Sequence, residues 1–311
     1  MTAEQLYQRD VYGQTLVKLG AEDEGIVVLD ADLSSSTRTN LFAKKFPGRF
    51  FNFGVAEQNM MAVSAGLASC GKTVFLSTFA VFAAGRAWDQ IRVSIGYNNF
   101  NVKIVATHAG ITVGPDGASH QALEDIALMR VIPNMKIIVP ADGPQTAEAV
   151  MTAARTSGPF YIRLGRAKVP TIGNPGDFEF GKAQMIREGG DVTIIACGIM
   201  VSEAIKAAEN LAGKGISVRL MNMHTIWPLD EDAIIKAARE TKLILVCEEH
   251  NVFGGLASGV DEVVSLNYPR KVVRVGVRNR FGQSGDPADL LKEYSLTGAD
   301  IEKAVLSNFP E

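Results

Sequence analysis

Apolar residues fall in short runs along the first half of the chain: IVVL at 26–29, VFL at 74–76, VKIVA at 102–106, IIV at 137–139 and FYI at 160–162. Gly, Pro, Asp or Asn residues bound them. Runs that stay apolar without alternating mark strands buried on both faces, as in parallel sheets. Helical stretches are predicted between them, near 4–19, 57–70, 85–96, 120–130 and 144–156. This strand–helix alternation predicts an open, doubly wound α/β sheet. The stretch RAKVPTIGNPGDFEFG at 166–181 has two prolines, three glycines and no helical period, which predicts a linker. A second series follows, with strands at 192–196, 216–221, 243–247 and 272–275 and helices at 200–213, 229–240 and near 254–265. The pattern therefore predicts two doubly wound α/β domains, 1–165 and 183–311, joined by a linker at 166–182.

Composition narrows the class. The chain has 311 residues, 47% apolar and 21% charged, which suits a folded globular protein of about two domains. A net charge of −3 gives no reason to expect nucleic acid or an anionic membrane as partner. No apolar run approaches the ~20 residues that span a bilayer. The start MTAEQLYQRD lacks the basic and apolar regions of a signal peptide. Cys70, Cys197 and Cys247 are scattered and form no CxxC pair. They read as buried thiols of a reducing compartment, so a cytoplasmic location is expected. GGLASG at 254–259 lacks the spacing of a dinucleotide loop and reads as close packing at a strand-to-helix turn.

In open α/β sheets the ligand crevice lies beyond the carboxyl ends of the strands, so polar residues there are the candidates. Asp30, Asp32 and Ser34–Ser36 follow the first strand and exceed what a helix cap needs. Glu57 stands at a helix start, where a carboxylate suits the dipole. Its neighbours Phe51, Phe53, Val55, Met60 and Met61 predict a dry pocket that raises a carboxyl pKa. Phe79 and Phe82 read either as core or as a platform for a flat heterocycle. His108 and His120, two of only four histidines, share the glycine-rich loop THAGITVGPDGASHQALED at 107–125 with Asp116. Such a loop lets polar groups converge on a ligand; a metal held by His108, Asp116 and His120 is the minor alternative. Arg163 and Arg166 end the first series and read as surface arginines or as an anion site.

EQNM after a phenylalanine–glycine turn, HAGITVGPDGASHQ, and LVCEEHNVFGGLASGVDEVV at 245–264 together resemble the transketolase family over nearly the whole chain. The likeness is to that family's thiamine-diphosphate pyrimidine-binding fold and its C-terminal domain. It implies that Glu57 contacts N1′ of the cofactor's pyrimidine, Asp32 lies near the thiazolium, and Phe79 and Phe82 pack on the pyrimidine. It further implies that His108, Asp116 and His120 meet the sugar hydroxyls or phosphate side, and that Arg9, Ser36 and Arg166 bind phosphate. The expected activity is transfer of a two-carbon ketol unit from a ketose phosphate to an aldose phosphate, with Glu57, His108 and His120 as catalytic groups. The family holds the diphosphate and Mg²⁺ with a Gly-Asp-Gly motif followed by Asn, which is absent here. The resemblance thus implies an N-terminal partner subunit carrying that motif, in an α2β2 assembly, and no metal ligand on this chain. Thr107-His108-Ala109 and RAWDQ depart from many transketolases. RAWDQ is closer to deoxyxylulose-phosphate synthase and to 2-oxoacid dehydrogenase beta subunits, which stand as alternatives, beside a non-catalytic subunit of the same fold.

Overall fold

The computed structural model describes residues 4–173 and 176–309. Fourteen strands are formed among them. They are β1 (Gln5–Tyr7), β2 (Ile26–Asp30), β3 (Phe50–Asn52), β4 (Thr73–Phe79), β5 (Val102–Thr107), β6 (Lys136–Ile138) and β7 (Phe160–Arg163), then β8 (Lys168–Pro170), β9 (Gln184–Arg187), β10 (Val192–Ala196), β11 (Val218–Asn222), β12 (Thr225–Trp227), β13 (Leu243–Asn251) and β14 (Val272–Val277).

The first sheet has the order β12-β6-β7-β5-β4-β2-β3 and the second β14-β13-β10-β11-β9. Both are parallel except at one edge, where β12 and β9 run antiparallel. Every residue of β2 and β5 is buried, as their largely apolar runs require, with Lys103 of β5 giving its ammonium to the Thr156 and Gly158 carbonyls. The fold class is therefore the doubly wound α/β arrangement that the pattern predicts.

The register of the first sheet positions the site. Asp30 pairs with Asn52 of β3 and Ser77 of β4, and Phe79 pairs with Thr107 of β5. The loops after these strands consequently leave one edge of the sheet side by side. The chain steps from β2 to β3 on one side and then to β4 on the other, so strand order reverses there. Such a reversal opens a crevice at the carboxyl ends.

Several elements differ from the pattern. The segment expected as one helix from 4 begins as β1, which pairs with β8 in a two-stranded ribbon. The predicted linker is thus partly strand; its Asn174 and Pro175 lie outside the described residues. The helix expected at 85–96 forms two wide π-helical turns, Phe82–Arg86 and Ile91–Gly96. Such turns are rare and concentrate at functional sites. The helix expected at 120–130 is confined to Asp125–Arg130.

The second half also returns a strand to the first sheet. β12 covers β6, and the Val139 N–H donates to the His224 carbonyl at 2.7 Å. An uncovered β6 would present a bare edge of donors and acceptors. One hydrophobic cluster runs through both halves, including Val139, Ile195, Met223 and Leu256. Among the described residues, no helix is long and apolar enough to cross a membrane.

Candidate active site

Gly54, at φ +66°, turns the chain out of β3 into the helix Glu57–Ser69. Glu57 opens that helix, where unpaired backbone N–H groups favour a negative charge. It is only 5% exposed, and its Oε1 accepts from Arg86 Nη1 at 2.8 Å. The apolar pocket expected from its neighbours does not form. Phe51 and Val55 face solvent, while Met60 and Met61 are buried in the core. An arginine, rather than a dry wall, defines the surroundings of this carboxylate. An open recess of ≈ 400 Å³ lies here, lined by Val55, Ala56, Glu57, Gln58, Asn59 and Arg86.

The aromatic pair forms as a stack. The Phe79 and Phe82 rings lie 5.8 Å apart at 15°. His108 stacks on Phe79 at 3.9 Å, and His120 meets both rings edge-on at 6.1 and 5.4 Å. Arg86 lies over Phe82, 4.2 Å from its centroid. The sequence-predicted residues Glu57, Phe79, Phe82, His108 and His120 therefore form one continuous group, with Arg86 as the bridge to Glu57.

Asp32 joins this rim after β2. It is exposed and exchanges hydrogen bonds with Asn52, 3.0 Å from its N–H to Oδ1 and 3.3 Å from Nδ2 to Asp32 Oδ1. Asp30 plays a different part. It is wholly buried and accepts from the Leu33 N–H, Thr37 Oγ1 and Thr39 Oγ1 at 2.6–2.8 Å, which fixes the loop that carries Asp32 and Ser36. Asp32, Arg38 and His108 all adopt left-handed backbone, with φ of 63°, 68° and 58°. Each costs roughly 1–3 kcal/mol in a non-glycine residue, strain that accumulates at functional sites.

Positive charge gathers on the far side. Arg9 Nη1 donates to the Ser36 carbonyl at 3.4 Å, and Arg166 Nη1 donates to the Val113 carbonyl at 3.2 Å. Arg9 Nε is buried and has no hydrogen-bond partner among the described residues. Burial, and then Arg38 and Arg166, lower the Arg9 pKa, although Asp10 and Tyr7 oppose them. Burial, then Arg9, Arg166 and His120, push the His108 imidazole down to about 3, so it is neutral at pH 7. His108 also shares a hydrogen bond between Nδ1 and Thr107 Oγ1 at 2.9 Å. It suits orientation and hydrogen bonding better than proton carriage. His120 is half-buried, with Nδ1 2.9 Å from Ser119 Oγ.

Two expected residues do not join. Asp116 is exposed in the turn Ile111–Asp116, and its side chain makes no hydrogen bond or ion pair among the described residues. No metal site of His108, Asp116 and His120 forms: among the described residues, no three or more His, Cys, Asp or Glu side chains could hold a metal ion. Arg163 is neither surface nor anion site. Its Nε donates to Asp125 Oδ2 at 2.8 Å, and Nη2 to the Ala122 and Glu249 carbonyls at 3.1 and 3.0 Å, all buried. The cysteine expectation is also corrected at one position, because Cys70 is exposed while Cys197 and Cys247 are buried.

Two residues near the site carry no signal that sequence alone makes plain. Arg86 opens the RAWDQ stretch and follows Phe82 by four positions, the spacing that brings side chains together on a helical turn, but nothing in the sequence pairs it with Glu57. Glu249 ends a charged pair on β13 and lies 5% exposed against the loop after β5. Its Oε1 accepts from the Thr112 N–H at 2.6 Å. Beside it, Glu248 accepts from the Leu256 and Ala257 N–H groups at 2.8 and 2.9 Å. A Cβ on Gly255 would lie 2.0 Å from Glu248 Oε2, so the GGLASG segment is a close-packed turn.

Known proteins share this arrangement. Residues 4–171 match the family described as transketolase, pyrimidine binding domain, and residues 181–301 match transketolase, C-terminal domain. A Methanocaldococcus jannaschii protein, provisionally named a transketolase C-terminal section, is 49% identical over 96% of this chain and 95% of its own length. A 6-deoxy-6-sulfo-D-fructose transketolase subunit from Clostridium sp. strain MSTE9 is 42% identical over 97% of this chain and 94% of its own length. A solved split-gene transketolase, described as an inactive beta4 tetramer, superposes with a TM-score of 0.91 at 52% identity over 98% of both chains. The chain belongs to the transketolase family, as a transketolase-like subunit.

Proposed function

We propose that this chain supplies the pyrimidine end of a thiamine-diphosphate site and, with a second chain, transfers a two-carbon ketol unit from a ketose phosphate to an aldose phosphate. The observation that carries this reading is the single group of Glu57, Phe79, Phe82, His108 and His120 at the strand-order reversal. An aminopyrimidine needs a flat apolar face and a carboxyl group at its edge. Phe82 and Glu57 fit both needs. The diphosphate and Mg²⁺ need oxygen ligands and backbone donors, which the family takes from a Gly-Asp-Gly motif that this sequence lacks. A partner carrying the Gly-Asp-Gly motif would provide them.

Thiamine diphosphate, when bound, supplies the electron sink that carbon–carbon cleavage of a ketose requires. Glu57 would share a proton with N1′, which makes the neighbouring amino group basic. Asp32 would lie near the thiazolium. His120 would exchange hydrogen bonds or a proton with a sugar hydroxyl, and the neutral His108 would orient the same hydroxyls. Arg9 and Arg166 would hold a terminal anion, with the Ser36 hydroxyl beside them, so binding energy there positions the reacting carbons. Asp116 would reach substrate only if its loop closes in the assembly. We assign the pyrimidine-binding domain to 1–165 and the C-terminal domain to 183–311, a cytoplasmic location, and an α2β2 assembly, the closed two-fold arrangement being the commonest. The inactive tetramer described for the solved relative supports a site completed by another chain.

The test is calorimetric titration of thiamine diphosphate and Mg²⁺ into the chain alone and into the chain with its partner, each followed by a ketol-transfer assay. Binding and turnover are expected only in the mixture. Tight binding or turnover by the chain alone would overturn the split site, and a mixture that binds nothing would overturn the cofactor assignment.

A further inference from the structure

The recess beside Glu57 contains a side chain that makes both contacts expected of the cofactor's ring. Arg86 is the last residue of the π-helical turn Phe82–Arg86, so its side chain returns over Phe82. The guanidinium is planar and lies 4.2 Å from the Phe82 ring centroid. At its edge, Nη1 donates to Glu57 Oε1 at 2.8 Å. A flat group on Phe82 with an N–H or ring nitrogen directed at Glu57 also describes a bound aminopyrimidine. The two cannot occupy the same face of Phe82 together. The other faces of the stack are already taken, since His108 lies on Phe79 and Phe79 lies on Phe82.

The backbone around Arg86 is fixed while its side chain is free to leave. The Arg86 carbonyl accepts from Gln58 Nε2 at 3.0 Å, which ties this turn to the start of the Glu57 helix. The side chain itself is 51% exposed, so rotation into solvent meets no wall. Arg86 has no other side-chain hydrogen bond or ion pair among the described residues.

We infer that Arg86 is a placeholder for the aminopyrimidine ring: it covers Phe82 and engages Glu57, the two contacts that the ring needs, and it must swing outward before cofactor can seat. This deepens, and rests on, the reading of Glu57 and Phe82 as the pyrimidine site. The device gives a buried carboxylate and an aromatic face a partner from the chain itself. Its consequence is a fixed loss of cofactor affinity, equal to whatever the two Arg86 contacts contribute at a half-exposed position.

The experiment uses the chain reconstituted with its partner subunit and reads cofactor binding, with ketol transfer followed only for Glu57→Gln. Thiamine diphosphate with Mg²⁺ is titrated calorimetrically into wild type, Arg86→Ala, Arg86→Lys and Glu57→Gln complexes, and association is followed by stopped-flow fluorescence. Arg86→Ala should bind about five- to tenfold tighter and associate faster, because an ion pair and a cation–π contact, both made by a half-exposed guanidinium, no longer compete. Arg86→Lys should lie between, since an ammonium keeps charge but cannot match the planar stack. Unchanged affinity in Arg86→Ala would overturn the placeholder, and weaker binding would show that Arg86 holds the cofactor instead. Arg86→Gln serves as second variant if the alanine chain does not fold, with the same expected direction. Wild-type complex that binds no cofactor, or Glu57→Gln that binds and turns over as wild type, would instead refute the pyrimidine-site reading on which the inference stands.

Discussion

Replacing Glu57 by glutamine separates chemistry from folding, because the two expected magnitudes differ widely. Glutamine has the same shape and can still accept from Arg86. The ion pair it removes is between a buried carboxylate and a guanidinium that is 51% exposed, so solvent screens it. Such pairs contribute ~0.2–1 kcal/mol. The charge at the helix N-terminus adds ~0.3–1 kcal/mol. Glu57→Gln should therefore lose no more than about 2 kcal/mol of stability. Turnover is another matter, since an amide N–H can donate a hydrogen bond but is far too weakly acidic to transfer a proton to a ring nitrogen. Loss of a positioned acid–base group lowers the rate by ~10²–10⁴-fold. Urea unfolding of the chain, followed by circular dichroism, checks the first number. Steady-state ketol transfer by the reconstituted complex, at saturating cofactor, checks the second. Turnover within about threefold of wild type would refute the acid role of Glu57, because general acid–base catalysis is worth far more.

Arg166→Ala should raise KM for a phosphorylated donor about tenfold or more, from the ~1.5–3 kcal/mol of a charge-assisted contact. An equal rise with an unphosphorylated donor would show that Arg166 does not read the anion. Arg163→Met should destabilise the chain by about 3–5 kcal/mol, because it leaves Asp125 buried without its cation. Pairing it with Asp125→Leu should recover more than half, and double-variant stability equal to the sum of the singles would refute the coupling. Burial pushes His224 down to about 4. The unfolded chain therefore takes up a proton below the ordinary value of 6.5 while the folded chain does not, so stability falls on acidification between these values. His224→Phe should lose about 2 kcal/mol less than wild type between pH 7 and pH 5, measured by urea unfolding at both.

The positions of the strands were legible because each buried strand of a parallel sheet is a largely apolar run, as in β2 and β5. The candidate residues were legible for a related reason: the carboxyl edge of such a sheet is where polar residues gather, which located Asp32, Glu57, His108 and Arg166. What stayed hidden depends on contacts distant in sequence. Arg163 looks like Arg166 in the sequence, yet it is bound by Asp125 and by the Glu249 carbonyl, 86 positions away. β12 lies among residues of the second series, and only the bare edge of β6 draws it into the first sheet. The surroundings of Glu57 misled because Phe51 and Val55 face solvent and Met60 and Met61 face the core, while the neighbour that matters, Arg86, is 29 positions on.

The second half of the chain adds no side chain to the aromatic and histidine group, yet its packing decides where that group stands. The loop after β5 has only the short 3-10 turn Ile111–Asp116 and one bridge, Ala109 to Ala122, of its own beside His108, which sits in left-handed backbone at φ +58°. It is held from the second sheet. Glu249 fixes the Thr112 N–H, and the Asn251 N–H donates to the Leu123 carbonyl at 2.8 Å. Gln121 Nε2 bonds the Ile111 carbonyl within the loop and the Gln283 carbonyl outside it, both at 3.0 Å. The approach is close enough that glycine is required at Gly110, φ +82°, where a Cβ would lie 2.2 Å from the Glu249 carboxyl carbon. Burial raises the Glu249 pKa, while Arg163 and the Thr112 hydrogen bonds act to lower it. The same Arg163 that grips Asp125 thus also faces the brace on the His108 loop. A carboxylate, an arginine and a glycine therefore convert the packing of two sheets into the placement of one histidine ring against Phe79, which is why a domain without candidate residues of its own belongs to the site.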